Sequence, residues 1–268
     1  MKRANCFLFV LLFAATGTYA QEKEEEARPA FSVPDPTRKS SAAPGTPQGT
    51  YIITQVDYRL TSKETDRFSQ ALPELISFLS NSTDLKAKVH WNERSLSDPA
   101  IMHALLLYMT GNEATFQITD IEKKQLSEYL KAGGLLFGED VRTPSRFGRV
   151  RGAGVAGTPF DRQFKALIKD PAVLGSQGSR WLKVRKDHPV YSAYFDFPDG
   201  PPLAATTQGS NVFDLEMLQV RGRVAVIFSD LNISWFWGNV EDGSRLRGLQ
   251  FGANLIVFAL TQKMAIRH

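Results

Sequence analysis

Cysteine is almost absent from this sequence of 268 residues, and Cys6 is its only occurrence. Cys6 lies in an N-terminal stretch that has the pattern of a cleaved leader. Disulfides need paired cysteines, and thiolate catalysis or metal binding needs a cysteine in the folded part. The sequence therefore excludes a disulfide framework, a thiolate metal site and a cysteine nucleophile from the chain beyond that stretch.

Histidine is also scarce, and no two histidines have the i, i+4 spacing that would place a pair of zinc ligands on one helical face. The four are His90, His103, His188 and His268. This spacing argues against a zinc site, and we predict no bound metal and no cofactor.

A strong excess of charge is missing as well, since 32 basic residues stand against 28 acidic ones for a net charge of +4. Affinity for nucleic acid depends on clustered positive charge rather than on a small excess. We expect no nucleic-acid partner, and the predicted partner is an unknown small molecule or an envelope protein.

Long apolar runs are absent too, and the N-terminal one from Cys6 to Ala15 is shorter than the ~20 residues that a membrane-spanning helix requires. Lys2 and Arg3 precede this run, and Thr18-Tyr19-Ala20 follows it. That layout is typical of a secretory signal peptide over residues 1–20, with an N-terminal membrane anchor as the alternative. We expect a secreted protein, periplasmic or extracellular, without a membrane span in the mature chain.

Residues 21–48 contain five prolines and almost no aliphatic side chain, so little burial would offset the entropy of ordering them. This composition predicts a disordered, proline-rich linker. Residues 49–268 have the length and composition of a single domain of ordinary size.

Short apolar runs alternate with amphipathic stretches in this domain, which predicts an α/β fold with a doubly wound, mainly parallel sheet and helices on both faces. Expected strands are 51–56, a brief one around Val89, a central one over 104–109, and 135–137 ending at Glu139 and Asp140. Residues 215–220 and 223–228 flank Gly222 and resemble a hairpin.

Helix boundaries are marked by capping boxes at Thr61 with Glu64 and at Thr119 with Glu122. Pro73 is expected to interrupt and restart the first helical region, which buries Leu72, Leu75, Ile76 and Leu79. Thr158-Pro159 caps another helix that buries Phe160, Phe164, Leu167 and Ile168. A last helix over about 244–261 places Leu249, Ala253, Ile256 and Leu260 on one face.

Ligands of open α/β sheets bind at the carboxyl ends of the strands. The polar composition expected there suits a divalent cation or a polyhydroxylated ligand. The alternative is that Asp140 and Asp230 cap helices or brace loops. The predicted ligand-binding residues are Asp57, Tyr58, Gly111, Asn112, Glu113, Glu139, Asp140, Arg142, Asp230 and Asn232.

Three residues are candidates for catalysis: Asp140 and His188 as an acid–base pair, and Ser229 as a nucleophile. No G-x-S-x-G motif surrounds any serine, which weakens the case for a serine hydrolase. The alternative for Asp187-His188-Pro189 is that Asp187 and Pro189 fix a turn.

Residues 152–157 match G-x-G-x-x-G, but no predicted strand directly precedes them, as a dinucleotide site requires. Together with Arg142, Arg146, Arg149 and Arg151 they suit an anion site or a lid, or else a solvated surface loop. Trp235, Phe236 and Trp237 are equally consistent with stacking on a sugar ring and with packing beneath the last helix.

Five motifs in order resemble the bacterial domain-of-unknown-function 4159 family over about residues 51–261. They are Leu107-Tyr108-Met109-Thr110-Gly111, the stretch 133–140, Asp187-His188-Pro189-Val190-Tyr191, the stretch 222–230, and Gly252-Ala253-Asn254.

The resemblance implies a fold similar to the class I glutamine amidotransferase-like group, a flavodoxin-like three-layer arrangement. That group often has a cysteine nucleophile after a central strand, where this chain has Thr110-Gly111-Asn112-Glu113, so amidotransferase activity is not implied. Two hypotheses remain. We favour a non-catalytic ligand-binding or assembly module of the envelope, and the alternative is a carbohydrate or ester hydrolase that uses Asp140 and His188.

Overall fold

A computed structural model describes residues 48–60, 71–111, 115–141, 159–202, 215–238 and 245–265 of the chain. The predicted signal peptide, the linker up to residue 47, the capping box at Thr61 and Glu64, and the glycine motif at 152–157 lie outside these ranges.

A seven-stranded sheet forms the middle layer of the fold. Counted in spatial order, its first five strands run parallel, as the alternating pattern predicts. Its last two strands are antiparallel to their neighbours, which makes the sheet mixed. In spatial order the strands are β3 (Ala87–Ser95), β1 (Gly49–Asp57), β4 (Leu106–Gly111), β6 (Leu135–Asp140), β9 (Arg223–Ser229), β8 (Glu216–Val220) and β7 (Leu182–Lys183). A separate pair, β2 (Arg59–Leu60) and β5 (Phe116–Gln117), joins two connecting segments.

Helices cover both faces of the sheet and create two apolar layers. One layer contains buried residues of α1 (Ala71–Ser82) and α5 (Arg245–Ala265), packed against strand residues such as Tyr108 and Phe137. The other contains α2 (Asp120–Lys131) and α3 (Pro159–Lys169), packed against Met109 and Leu136. The predicted three-layer α/β architecture is therefore confirmed.

Local signals account for several boundaries. The Thr119 hydroxyl accepts a hydrogen bond from the Glu122 N–H, and the Glu122 carboxylate accepts one from the Thr119 N–H, so the predicted capping box opens α2. After α2, Gly133 has a φ of 95°, a left-handed conformation that favours glycine. Arg221 and Gly222 have φ angles of 53° and 76°, which suits the tight turn of the predicted β8–β9 hairpin.

Two expectations need correction. The brief strand predicted around Val89 is a nine-residue edge strand, β3, that pairs with β1 along its whole length. The last helix is buried from Gly248 to Leu260 on all sides rather than on one face. The reason is that α5 lies between the sheet and the segment around Tyr191, which packs against Phe251.

Within the described ranges, no helix combines the length and the apolar character that crossing a bilayer requires.

Candidate functional site

The carboxyl ends of the central strands lie side by side, as the predicted site requires. Thr110 of β4 is in register with Glu139 of β6, and Glu139 is in register with Ser229 of β9. Side chains in register on parallel neighbours point to the same face of the sheet. These three polar residues therefore form a row on the face that packs against α1 and α5.

Glu139 is the centre of this row, and its side chain is completely buried. One carboxylate oxygen accepts hydrogen bonds from the Ser229 hydroxyl at 2.7 Å and from the Ile233 N–H at 2.7 Å. The other accepts one from the Ser234 N–H at 2.6 Å. The carboxylate thus binds the chain at both ends of the segment that follows β9.

Burial raises the pKa of Glu139 to about 7, because the loss of water penalises the charged form more than its hydrogen bonds stabilise that form. The neighbouring Tyr108 hydroxyl donates to the Ser234 Oγ at 2.7 Å. Burial also raises the pKa of Tyr108, so it stays protonated. Glu139, Ser229, Ser234 and Tyr108 thus contribute to one buried hydrogen-bond network, whose only carboxyl group has a pKa near neutrality.

The segment from Ser229 to Ser234, here called the β9 loop, owes its shape to these bonds. The Ser229 hydroxyl also accepts a hydrogen bond from the Leu231 N–H at 3.1 Å. Asn232 is buried and has a φ of 64°, in the left-handed region that asparagine tolerates better than most residues. Glu139 and Ser229 therefore brace the loop by hydrogen bonds, a role that the sequence analysis considered for Asp140 and Asp230.

The opposite face of the same edge is filled by aromatic side chains. A Cβ at Gly111 would lie 2.3 Å from the Phe160 ring, so this glycine allows the ring to rest directly on β4. The Tyr58 ring packs against Phe116 at 5.2 Å between ring centroids and is tilted to it by 56°, and its hydroxyl donates to the Thr110 carbonyl oxygen. Gly111 and Tyr58, two of the predicted ligand-binding residues, take part in this packing.

The three catalytic candidates are not brought together. Asp140 follows Glu139 along a regular strand, so its side chain points to the face that packs against α2 and α3, away from Ser229. Ser229 is bonded to Glu139 instead. His188 packs its ring on Phe258 of α5, at 5.3 Å between centroids.

Asp187 and His188 each have a structural partner. The exposed Asp187 carboxylate accepts two hydrogen bonds from the Arg185 guanidinium, both 3.0 Å, and these bonds lower its pKa. His188 Nδ1 accepts one from the Val190 N–H at 3.3 Å and caps the turn Pro189–Tyr191. Partial burial lowers the pKa of His188. These contacts agree with the turn-fixing alternative.

The remaining predicted ligand residues differ in position. Asp57 is exposed at the end of β1, and Asp230 is partly exposed just after β9. Asp140 is completely buried. Asn112, Glu113 and Arg142 lie outside the described residues, as do Arg146, Arg149 and Arg151.

The aromatic triplet before α5 is mainly part of the core. Phe236 and Trp237 are buried, and Trp237 packs against Tyr108 at 5.6 Å between centroids. The Trp237 Nε1–H donates to the Gly248 carbonyl oxygen at 2.9 Å. Trp235, the first residue of the short helix α4 (Trp235–Gly238), is partly buried and packs against the same core layer.

A small cavity of about 70 Å³ lies at the amino-terminal edge of the sheet, opposite the predicted site. It is lined in part by Leu105, Tyr129, Gly133 and Lys263. Sites for drug-sized ligands occupy roughly 300–1,000 Å³, so this cavity has room for a few water molecules at most. Where the chain is described, no three histidine, cysteine or acidic side chains gather in a way that could hold a metal ion.

Sequence reasoning missed two residues of the hydrogen-bond network around Glu139, Tyr108 and Ser234. Tyr108 lies inside an apolar run, and Ser234 is the last residue of the β9 loop, whose fold depends on Glu139. The tyrosine in the predicted central strand is a signal that could have indicated this network, because a buried hydroxyl needs a hydrogen-bond partner.

Comparison with known proteins agrees with the motifs. The family model described as "Domain of unknown function (DUF4159)" matches residues 52–260. The chain belongs to this family. The match begins within β1 and ends within α5, so it includes residues of both core layers. A search of curated proteins finds no match to the chain.

Proposed function

We propose that this DUF4159 protein is a non-catalytic ligand-binding or assembly module of the bacterial envelope, with the carboxyl edge of its sheet as the binding surface. In this proposal the signal peptide of residues 1–20 directs the protein to the periplasm or the exterior. The class I glutamine amidotransferase-like fold implied by the resemblance is part of the same proposal. The main support for this proposal is the hydrogen bond from Ser229 to Glu139. Because of it and the bonds of Glu139 to the backbone, both side chains are engaged in holding the β9 loop.

A nucleophilic serine needs access to substrate and a base that can take its proton. Ser229 is only 1% exposed, and its hydroxyl points at a carboxylate that already accepts two backbone N–H groups. Asp140, the other carboxyl group at this strand end, faces the opposite layer. These positions support a binding role over hydrolysis.

The acidic residues near solvent at this edge suggest the class of ligand. Asp57 and Asp230 lie at the ends of β1 and β9, with β4 and β6 between them. Neighbouring strands are about 4.8 Å apart, so three spacings separate the two residues by about 14 Å. Two oxygens on one Ca²⁺ ion lie within about 5 Å of each other. This separation favours an extended ligand with several hydroxyl groups, such as a saccharide, over a single cation.

A thermal-shift screen of the purified protein with saccharides, nucleotides, anions and divalent metals tests the proposal. A ligand that binds only the folded state raises the melting temperature by mass action. We expect a saccharide to do so, and we expect Asp57→Asn and Asp230→Asn to reduce the shift. Glu128→Gln, an exposed change in α2 away from this edge, is the matched control and should leave the shift unchanged.

Assays of ester and glycan cleavage supply the opposing test. We expect the protein to cleave neither esters nor glycans above the background rate. Turnover that is lost in both Asp140→Asn and His188→Ala, with the folded state intact by circular dichroism, would contradict the proposal and establish the hydrolase alternative.

A further inference from the structure

The outermost strand β3 presents a long open edge. Its nine residues pair with β1 in continuous register, and among the described residues no strand pairs with its other side. At about 3.3 Å per residue the edge is about 30 Å long. Such an edge displays unpaired backbone N–H and C=O groups, to which an extended segment of another protein can add as a further strand.

The two faces of β3 differ in charge. On the face shared with Thr54, the exposed Lys88 and His90 precede Asn92, whose Oδ1 accepts a hydrogen bond from the Thr54 hydroxyl at 2.8 Å. Arg94 on this face is bonded to Asp98 at 2.6 Å, and the exposed Lys86 stands just before the strand. This face of the edge is therefore basic.

The other face of β3 is apolar toward its centre. Val89 is buried in the same core layer as α1, and Trp91 is 39% exposed. Glu93 lies on this same face, two residues further on. An incoming strand would meet basic side chains on one face and an exposed aromatic ring on the other.

A second copy of this chain is a poor partner for the edge. A two-fold axis perpendicular to the sheet would pair β3 antiparallel with its copy and would keep each face on its own side. Within the strand, Lys88, His90 and Arg94 would then face only basic side chains or Asn92 of the copy. Glu93 could never lie opposite a cation, because it is on the other face. Like charges opposite each other destabilise strand pairs.

We propose that the β3 edge is a docking site for an acidic extended segment of a partner protein, which adds as a strand. The partner segment has acidic residues at alternate positions that face Lys88 and His90, and apolar residues between them that contact Trp91. Backbone hydrogen bonds to the edge hold the segment, and the charges select it. This surface is separate from the carboxyl edge, so the inference does not depend on the ligand proposed there.

The test uses three synthetic nine-residue peptides with a fluorescent label. The first alternates glutamate and valine, and the second alternates lysine and valine. The third has the sequence of the first, with its central residue replaced by proline. Fluorescence anisotropy measures binding to the purified protein, and NMR amide shifts locate it. We expect only the glutamate–valine peptide to bind, with shifts along β3 and weaker binding at high salt.

Charge reversal on the edge provides the matched comparison. Lys88→Glu with His90→Glu should weaken binding of the glutamate–valine peptide about tenfold, from the loss of cross-strand attraction. Lys124→Glu, an exposed reversal in α2, should leave it unchanged. Trp91→Ala should also weaken binding. Thermal melting confirms that each variant is folded.

Several outcomes would overturn the proposal. These are no binding of the glutamate–valine peptide, equal binding of the lysine–valine peptide, or shifts confined to residues outside β3. A dimer that forms as the protein concentration rises and dissociates in the Trp91→Ala variant would instead assign the edge to a second copy.

Discussion

Protonation of Glu139 is expected to govern how the stability of this protein depends on pH. Its pKa rises from 4.5 to about 7 on folding, because the carboxyl group is buried. The folded state therefore holds the proton more tightly than the unfolded state does. The sign follows: this group adds stability at low pH, and the contribution is lost as the pH rises toward 7.

The magnitude follows from the two pKa values. Between about pH 5 and about pH 8 the contribution of Glu139 to the free energy of unfolding falls by about 2–3 kcal/mol. Glu139→Gln cannot titrate, so the wild-type protein should lose about 2–3 kcal/mol of unfolding free energy relative to this variant over the same range. The variant also loses hydrogen bonds, which changes its free energy of unfolding by an amount that does not depend on pH.

Urea unfolding at a series of pH values measures this difference. The pKa of His188 is lowered by burial, so its contribution has the opposite sign, increasing as the pH rises toward 6.5. Because His188 is present in both proteins, its effect cancels in the difference. Glu128→Gln, an exposed change, should parallel the wild type. A constant difference between wild type and Glu139→Gln across the range would refute the reasoning.

Three further predictions concern packing and hydrogen bonds. Gly111→Ala places a methyl group 2.3 Å from the Phe160 ring and should destabilise the protein by about 1–3 kcal/mol in urea unfolding. Asn254→Leu removes the partner of four backbone groups in the 190–195 segment and should cost about 3 kcal/mol or more, measured in the same way. Ser229→Ala removes a hydrogen bond that favours the charged carboxylate, so carboxyl NMR should show the pKa of Glu139 rising above its wild-type value.

Each of these has its own control. Adding Phe160→Leu to Gly111→Ala should recover part of the lost stability, and no recovery would contradict the contact. Asn81→Ala, at an exposed asparagine of α1, should change stability by less than about 0.5 kcal/mol. If the pKa of Glu139 is unchanged in Ser229→Ala, the Ser229 hydroxyl does not donate a hydrogen bond to Glu139 in solution.

Much of the fold could be predicted because its signals are local. The capping box at Thr119 and the apolar stripe of α3 act within one helix, and the β8–β9 turn depends on two residues. The length of β3 could not be predicted, because five of its nine residues are exposed and its apolar pattern is weak. Its extent is determined by pairing with β1, a contact between distant parts of the chain.

The candidate site could be predicted only in part. Strand ends place Glu139 and Ser229 in one neighbourhood, and the alternation of a strand puts Glu139 and Asp140 on opposite faces. Which face holds the polar row depends on helix packing, which brings Phe160 and Phe164 over one face and leaves the β9 loop on the other. That arrangement is a tertiary property, so a list of strand-end residues alone could not separate loop-bracing groups from ligand contacts.

Hydrogen exchange at the Ile233 and Ser234 amides tests most directly whether Glu139 braces the β9 loop. Both amides bond to its carboxylate, at 2.7 Å and 2.6 Å. We expect slow exchange of both amides in the wild type and much faster exchange in Glu139→Ala, although neither residue belongs to a strand or helix. Fast exchange of both amides in the wild type would show that the Glu139 carboxylate is not hydrogen-bonded to the loop. Glu139 would then be a candidate for binding a ligand or for catalysis.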